Sequence, residues 1–350
     1  MEKKIELKIT KEISRRDILF SMVRMPNSEL LQVGSSDFKL YGFDLASDKN
    51  EPIAEGLAHD SYVTGVARTE AFLVTSSYDQ RLVWWNLQSG KPIRTIENAH
   101  QRFIRDVQAS PDGKWIVSVG DDMIARVWES ASGKLRHELH GHPTVTPHHY
   151  PSMLYACAIS PDSQHIATVD RIGTILVWRS EDGRQVTKLE APEMYTWDAK
   201  QRRHSIGGIR SVAFSPDGQH LAVGGMGQVG NIDHLEGKAR VEIFAWQVGE
   251  RTHSFGDNSF KGLVESLAFH PNGDWLVAAG GDNSGFLMFF DLADSKKSFR
   301  DEKAPMHVHR IAVNESGDTI YAVGHGKIAK WTVSTTSSVG GFRLMDRLHP

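Results

Sequence analysis

Residues 118–128 read Ser118-Val119-Gly120-Asp121-Asp122-Met123-Ile124-Ala125-Arg126-Val127-Trp128. The small residues at the start fit the end of one β-strand, and Asp122 falls in a tight turn. The β-branched and aromatic residues that follow fit a second strand ending at Trp128. An isolated hairpin of this kind is marginal in water. The stretch therefore predicts a larger sheet, and its pattern recurs along the chain.

The aromatic residue that ends this hairpin recurs at intervals of 42, 43, 50, 68, 44 and 41 residues. The seven positions are Phe43, Trp85, Trp128, Trp178, Trp246, Phe290 and Trp331. Six residues earlier stands an acid in the first three repeats, and another residue type in the last four. A regular period in a 350-residue chain indicates one stacked repeat architecture rather than two unrelated domains.

A turn marks the opposite end of each repeat and is clearest in Ser110-Pro111-Asp112-Gly113. Proline suits the second position of a turn, Asp or Asn the third, and glycine a positive φ. Apolar segments flank the turn, and a more polar one, such as 134–139, follows each aromatic. Each repeat is therefore predicted to form one four-stranded antiparallel sheet.

The period, the four strands and the tryptophan that ends the third strand resemble the WD-repeat β-propeller family over nearly the whole chain. Two repeats also match the family's hydrogen-bonded His–Ser/Thr–Asp–Trp set. These residues are His59, Thr75, Asp79 and Trp85, followed by His100, Ser118, Asp122 and Trp128. The resemblance implies a structural role, whereas Ser, His and Asp alone would suggest a catalytic triad. Recurrence in successive repeats favours blade stability.

Repeat four departs from this pattern because residue 172 is Ile, although Asp170 lies two residues earlier. The sequence therefore leaves open whether that repeat has the hydrogen-bonded set.

The predicted fold is all-β: a single seven-bladed β-propeller of four-stranded antiparallel blades over residues 1–333, followed by a C-terminal tail at 334–350. The blades are expected near residues 15–57, 60–97, 101–139, 153–189, 205–255, 262–300 and 305–333, the last completed by 3–10. In the resembling family an N-terminal strand closes the ring in the last blade. Residues 4–9 alternate polar and apolar residues as such a strand requires. Deletion of residues 1–10 is expected to lower thermal stability.

The composition argues against several classes of protein. A formal net charge of −3 provides no positive field for general nucleic-acid binding. The single cysteine, Cys157, excludes an intrachain disulfide framework and is expected to be buried. The chain has no apolar run of signal-peptide or membrane-spanning length. A cytoplasmic location without membrane contact is expected.

Three insertions depart from the repeat, at residues 140–151, 191–204 and 224–238. The first two connect blades, and the third joins the second and third strands of blade five. Because strand direction alternates within an antiparallel blade, all three should emerge on one face. We call this predicted surface the insertion wall. Its candidate partner-binding residues are Tyr150, Met194, Tyr195, Trp197, Arg202, Arg203, His148, His149 and His234.

The alternative for the wall is that its aromatic residues only pack the insertions onto the disc. Deletion of residues 191–203 is expected to leave the propeller folded and to abolish capture of its partner.

Other chemical motifs in the sequence are weak. Residues 225–230 match Gly-x-Gly-x-x-Gly, but a strand rather than a helix is expected after them, which argues against a dinucleotide site. Lys200, Arg202, Arg203 and Arg210 could form a basic spot. No metal site and no cofactor are predicted, because the wall histidines lack a recognised ligand spacing. Those histidines are His140, His142, His148, His149, His204 and His234.

The leading functional hypothesis is a non-enzymatic scaffold that binds a peptide or a folded protein on the insertion face. The alternative is a small-ligand-binding or catalytic propeller with a histidine-containing pocket over the central channel. A third alternative, a subunit that uses its rim in a larger complex, is suggested by residues 294–300. A closed polar pocket would favour the second hypothesis, and exposed aromatic residues the first.

Overall fold

The structure is a computed structural model that describes residues 3–47, 49–53, 56–200, 203–230, 236–256, 259–292 and 300–337. Their regular secondary structure is β-strand, apart from one short 3-10 helix at Pro192–Met194. The described part of the chain contains no helix with the length and hydrophobicity that a bilayer span requires.

The strands are numbered in chain order. The first half of the chain contains β1 (Lys3–Arg24), β2 (Leu30–Ser35), β3 (Leu40–Asp44), β4 (Lys49–Pro52), β5 (Val63–Arg68), β6 (Phe72–Ser77), β7 (Leu82–Asn86), β8 (Pro92–Ile96), β9 (Ile104–Ala109), β10 (Trp115–Gly120), β11 (Ala125–Glu129), β12 (Leu135–Leu139), β13 (Leu154–Ile159), β14 (His165–Asp170), β15 (Thr174–Arg179) and β16 (Gln185–Glu190). The second half contains β17 (Tyr195–Asp198), β18 (His204–Gly207), β19 (Ile209–Phe214), β20 (His220–Met226), β21 (Ala239–Ala245), β22 (Glu250–Phe255), β23 (Leu263–Phe269), β24 (Leu276–Gly281), β25 (Gly285–Phe290), β26 (Arg300–Ala304), β27 (Val308–Val313) and β28 (Thr319–Ser337).

Five sheets have the predicted four antiparallel strands, in the orders β5 to β8, β9 to β12, β13 to β16, β19 to β22 and β23 to β26. Each begins with a strand that precedes a turn landmark and ends with the more polar segment expected. The two short strands β17 and β18 form a separate hairpin inside the second insertion.

The remaining blade sheet has six strands, in the order β27-β28-β1-β2-β3-β4. The prediction of seven separate four-stranded sheets is therefore wrong: the described residues form six blade sheets, because the long strands β1 and β28 each run through two predicted blade positions. Residues 3–14 of β1 pair with 327–337 of β28, and residues 19–24 pair with β2. Residues 334–337 are thus strand rather than tail.

The hydrophobic core lies between successive sheets rather than in one central mass. For example, Val117 and Val127 of one sheet pack with Ile166 and Leu176 of the next. Cys157 belongs to the same cluster and is buried as expected, and burial raises the pKa of its thiol. Face-to-face packing of twisted sheets around a channel is the architecture of a β-propeller. The predicted all-β propeller is thereby confirmed.

Candidate functional site

The channel is lined by one β-bulge residue from each of the seven innermost strands. In every case the ladder to the neighbouring strand skips a single residue, which lies near the start of the strand in six cases and at residue 20 of the long strand β1. A bulge leaves that residue unpaired and redirects its side chain. The skipped residues are Phe20, Thr64, Arg105, Tyr155, Arg210, Glu265 and His309, and all seven line one cavity of ≈ 210 Å³. We call this space the channel-mouth cavity.

Two arginines of this ring have different surroundings. Arg105 donates to both carboxylate oxygens of Asp121 at 2.7 Å and to the hydroxyl of Tyr78 at 2.5 Å. Burial opposes its charge, but these interactions raise the pKa of Arg105 above its ordinary value. Arg210 lies over the ring of Tyr155, at 3.5 Å from its centroid, and its buried Nε has no hydrogen-bond partner among the described residues. Arg210 therefore offers a cationic donor to the cavity.

A continuous row of aromatic rings borders the cavity on the side of β2 to β9. Tyr62 contacts Phe20, Phe38 and Tyr78 at centroid distances of 5.5–5.8 Å, and Tyr78 stacks on Phe103 at 4.5 Å. Tyr62 and Phe103 remain 40% and 45% exposed. We call these five rings the aromatic band. Large exposed aromatic residues beside arginines are the side-chain types enriched in the centres of protein interfaces.

The hydrogen-bonded sets of the second and third repeats lie inside the blades. His59 contacts Asp79 through Nδ1 at 2.9 Å and Thr75 through Nε2 at 2.7 Å, and Trp85 donates to Thr75 at 2.9 Å. A carboxylate only accepts and an indole only donates, so the His59 Nδ1–H donates to Asp79 and the Thr75 hydroxyl donates to Nε2.

His100, Ser118, Asp122 and Trp128 repeat this arrangement at 2.7–2.9 Å. Burial opposes ionisation of Asp122, but His100 and Arg126 lower the pKa of its carboxyl well below the ordinary value.

Repeat four contains the same network, although its acid lies at a different position. His142 contacts Asp170 and Thr168 at 2.8 Å each, and Trp178 donates to Thr168 at 2.9 Å. Thr168 and Asp170 are two residues apart in β14, so their side chains leave the same face of the strand. The sequence left this set open because the repeat pattern places the acid in the turn, at position 172.

The three insertions are in contact. His148 stacks on Trp197 at 4.1 Å, and Tyr150 lies 5.6 Å from Trp197, so the first insertion packs on the hairpin of the second. In the third insertion, the Gln228 side chain donates to the Tyr195 carbonyl at 2.9 Å and accepts from Thr196 at 3.2 Å. Arg171 bridges the first two by donating to the carbonyls of residues 151 and 205.

Several predicted wall residues have other positions. Met194 is fully buried in the cluster between the β13 to β16 and β19 to β22 sheets, so its assignment to the binding surface is wrong. Tyr150, Tyr195, Trp197 and His148 are half-buried in contacts with one another, whereas His149 and Arg203 are exposed. Arg202, His234 and residues 294–299 lie outside the described residues.

The buried position of Met194 also changes the expected effect of deleting residues 191–203. Ala191 is fully buried in the same cluster, so the deletion would remove core side chains and destabilise the propeller.

The weaker motifs do not form the sites they could suggest. Met226 of the glycine-rich segment is fully buried in β20, and strand β21 is the next described element. Arg210 lines the channel-mouth cavity, while Lys200 and Arg203 lie in the hairpin loop, so the basic spot is not one surface. Among the wall histidines, His142 belongs to the blade network, and His204 is exposed and packs edge-on against Tyr150.

Three other histidines cluster beside the channel-mouth cavity. The rings of His307, His309 and His325 lie 4.8–4.9 Å apart, and Glu265 reaches within 3.9 Å of His307 Nε2. Burial and the neighbouring imidazoles lower the pKa of His309 to about 3, so its ring is neutral at pH 7. We call His307, His309 and His325 the histidine cluster.

Sequence reasoning missed the ring of bulge residues, although a signal was present. Six of the seven lie five residues before the first residue of a turn landmark, as Arg105 does before Ser110 and His309 before Asn314, and Thr64 lies four residues before the shortened turn at 68–70. At this position a large polar or aromatic residue interrupts the apolar inner strand in six of the seven repeats, and Thr64 occupies it in the other. The alternation His307-Val308-His309 was a second signal, because positions i and i+2 of a strand share a face.

Comparison with known proteins agrees with the repeat architecture. A family model described as "WD domain, G-beta repeat" matches residues 90–129, 199–229 and 249–287. Telomerase protein component 1 of Mus musculus is 28% identical over 288 residues, which are 80% of this chain and 9% of that protein. Nuclear distribution protein nudF of Aspergillus niger is 30% identical over 179 residues, 47% of this chain and 37% of the relative.

Eukaryotic translation initiation factor 3 subunit I of Candida albicans is 25% identical over 209 residues. That match covers 59% of this chain and 52% of the relative. This chain therefore spans about half or less of the length of each of these three proteins.

Proposed function

Because this chain belongs to the WD-repeat β-propeller family, we propose that it is a non-enzymatic scaffold that binds a protein segment over the channel mouth. Two of the relatives are named as a component or a subunit of a larger assembly, which supports a protein partner. The proposed contact face carries the aromatic band and the insertion wall. Membership of a larger complex and a cytoplasmic location are parts of the same proposal.

The observation that carries this proposal is the exposure of Tyr62 and Phe103 close to the cavity that Arg105 and Arg210 line. Burying two such aromatic side chains under a partner removes apolar area from water at about 25 cal/mol per Å². Arg210 lies within the cavity that this band borders. A partner segment that covers the band and directs an acidic side chain toward Arg210 would use both features.

The wall would border the same segment. Among its candidate partner-binding residues, His149 and Arg203 are exposed, and Tyr150, Tyr195, Trp197 and His148 are half-buried. The small-ligand alternative has less support. Ligand pockets commonly measure about 300–1,000 Å³, whereas the channel-mouth cavity measures ≈ 210 Å³.

Affinity capture with a paired set of variants tests this function. The face variant combines Tyr62→Ala with Phe103→Ala. The control is Val248→Ala, which truncates a residue that is 76% exposed in the β21–β22 turn, on the opposite face. Each interface aromatic is expected to contribute about 1.4 kcal/mol or more, so binding of the main partner should fall at least about tenfold per substitution. The same partner must be retained by Val248→Ala.

Partner recovery that is equal for wild type and the face variant would contradict the proposed surface. Arg210→Met adds a separate test of the acidic contact, because it removes the charge while preserving much of the side-chain volume. It should weaken binding chiefly at low salt, where electrostatic attraction is least screened.

We further propose that the six-stranded sheet acts as two blades, which gives seven blade units closed by the N-terminal strand. The seven bulge residues around one cavity support this count. In addition, Tyr321 and Val323 of β28 pack in one cluster with Leu31 and Phe43. In a flat sheet β28 and β3 would be separated by two strands, so their shared cluster supports an arrangement in which the two halves of the sheet face each other. Closure by the N-terminal strand is tested by the effect of Ile5→Ala on the free energy of unfolding.

A further inference from the structure

We propose that Glu265, His307 and His309 form a binding site for a divalent transition-metal ion at the mouth of the channel. The three ligand atoms lie within 4.8 Å of one another. Glu265 is the bulge residue of β23. His307 lies directly before β27, and His309 is the bulge residue of β27, so the site joins two adjacent blades. This inference does not depend on the proposed partner.

The two imidazoles present buried nitrogen atoms that lack other partners. Nε2 of His307 and Nε2 of His309 are both inaccessible to solvent and have no hydrogen-bond partner among the described residues. A buried polar nitrogen without a partner costs free energy, which a metal bond would offset. Two imidazoles with buried, unpaired nitrogen atoms beside one carboxylate distinguish this site from an ordinary surface cluster.

The orientation of His307 is fixed by its other ring nitrogen. Nδ1 lies 3.0 Å from the backbone carbonyl oxygen of Asp282. A carbonyl can only accept, so Nδ1 carries the proton and Nε2 keeps its lone pair. Metal-binding histidines commonly donate their second N–H to a carbonyl or carboxylate, which sets the tautomer and the ring orientation.

The donor set selects the class of metal. Two imidazoles and one carboxylate suit zinc and related first-row ions, whereas Mg²⁺ and Ca²⁺ prefer oxygen ligands. Zinc ligands at about 2.0–2.1 Å in a tetrahedron lie about 3.4 Å apart. The ligand atoms must therefore approach each other by up to about 1.4 Å when the metal binds. The exposed ring of His325 stacks on His307 beside the site.

Metal titration of the full chain tests this site. Protein purified without a histidine tag or a chelating column is treated with EDTA, desalted and titrated with Zn²⁺ by calorimetry. One equivalent is expected to bind, and His309→Gln should weaken that binding at least about 100-fold. The control is His149→Gln, which alters an exposed histidine of the insertion wall and should bind as wild type does.

Two further measurements keep the test decisive if His309→Gln folds poorly. Glu265→Gln changes only the charge and one oxygen, and it should also weaken Zn²⁺ binding. Co²⁺ added to wild type should give the visible absorption of a four- or five-coordinate ion, and the band should be lost in Glu265→Gln. The proposal is overturned if metal-free wild type binds no stoichiometric Zn²⁺, or if both cluster variants bind it as tightly as His149→Gln does.

Discussion

At the scale of single residues, the distances in the buried network of repeat four favour one arrangement of donors. The Thr168 hydroxyl lies 2.8 Å from His142 Nε2 and 3.5 Å from the Leu176 carbonyl, so His142 is its closer acceptor. Trp178 donates to Thr168, Thr168 to His142, and His142 to Asp170. The second carboxylate oxygen of Asp170 accepts the backbone N–H groups of residues 172 and 174 at 3.0 and 2.8 Å. One oxygen of Asp170 therefore accepts the last hydrogen bond of the side-chain network, and the other accepts the backbone N–H groups of the following turn.

We predict that Asp170→Asn destabilises the protein by about 2 kcal/mol, the typical cost of leaving a buried donor unpaired. If the oxygen of the introduced amide still accepts the two backbone N–H groups, its NH₂ group points toward the Nδ1–H of His142, so two donors face each other. If the histidine tautomer reverses instead, His142 Nε2 becomes a donor and no longer accepts from Thr168. Equilibrium unfolding in urea measures this change.

The matched control for that experiment is Asp182→Asn, which alters an exposed acid in the β15–β16 turn of the same blade. Its effect should stay within about 0.5 kcal/mol, as is usual for exposed sites. Equal unfolding midpoints for the two variants would show that the network does not stabilise blade four.

At the scale of elements, the hairpin β17–β18 depends on contacts that are distant in sequence. His148 stacks on Trp197 with an interplanar angle of 7°, and Gln228 ties the hairpin to the third insertion. The hairpin is four residues long on each side and has no other strand neighbour among the described residues. Isolated two-stranded hairpins are marginal, so these contacts should determine its stability.

We predict that Trp197→Ala increases amide hydrogen exchange in β17 and β18 by roughly 2- to 10-fold, because a stacked aromatic pair contributes about 0.5–1.5 kcal/mol. The same substitution should leave the exchange of β14 and β15 unchanged. Mass spectrometry of exchanged peptides provides the measurement. Tyr62→Ala, which truncates an aromatic residue outside the insertions, should leave the exchange of the hairpin unchanged. Unaltered hairpin exchange in Trp197→Ala would refute this role of the stack.

The elements differ in how well their sequence predicts them. The alternating strands and turns around Ser110 and Trp128 are specified locally, because side-chain period and turn chemistry act over a few residues. Met194 was misassigned because its burial depends on how the second insertion crosses a neighbouring blade. The histidine cluster was missed for a related reason: His325 and His307 are 18 residues apart and meet only after β27 and β28 pair.

At the scale of the whole molecule, the ends of the chain meet in one ladder. Residues 3–9 of β1 pair with 331–337 of β28, and β1 then continues into the ladder with β2. If this pairing closes the ring, as proposed above, it removes the exposed edges that an open propeller would have. Because these contacts join residues more than 300 positions apart in sequence, their loss should affect the unfolding of the entire ring rather than one segment.

Ile5 and Ile9 provide a matched comparison within this closing strand. Both are backbone-paired to β28, but Ile5 is 2% exposed and packs in the cluster of β24, β25, β27 and β28, whereas Ile9 is 40% exposed. We predict that Ile5→Ala lowers the free energy of unfolding by about 2–4 kcal/mol, through lost burial and an unfilled cavity. Ile9→Ala should lower it by about 1 kcal/mol or less.

Urea unfolding followed by both tryptophan fluorescence and far-ultraviolet circular dichroism distinguishes global from local effects. If the N-terminal strand closes the ring, the two signals should shift together to a lower urea midpoint in Ile5→Ala, since the tryptophans are distributed over many blades and all lose support at once. A midpoint equal to that of Ile9→Ala would contradict this role, because the buried side chain of the N-terminal strand would then contribute no more to the stability of the ring than an exposed one does.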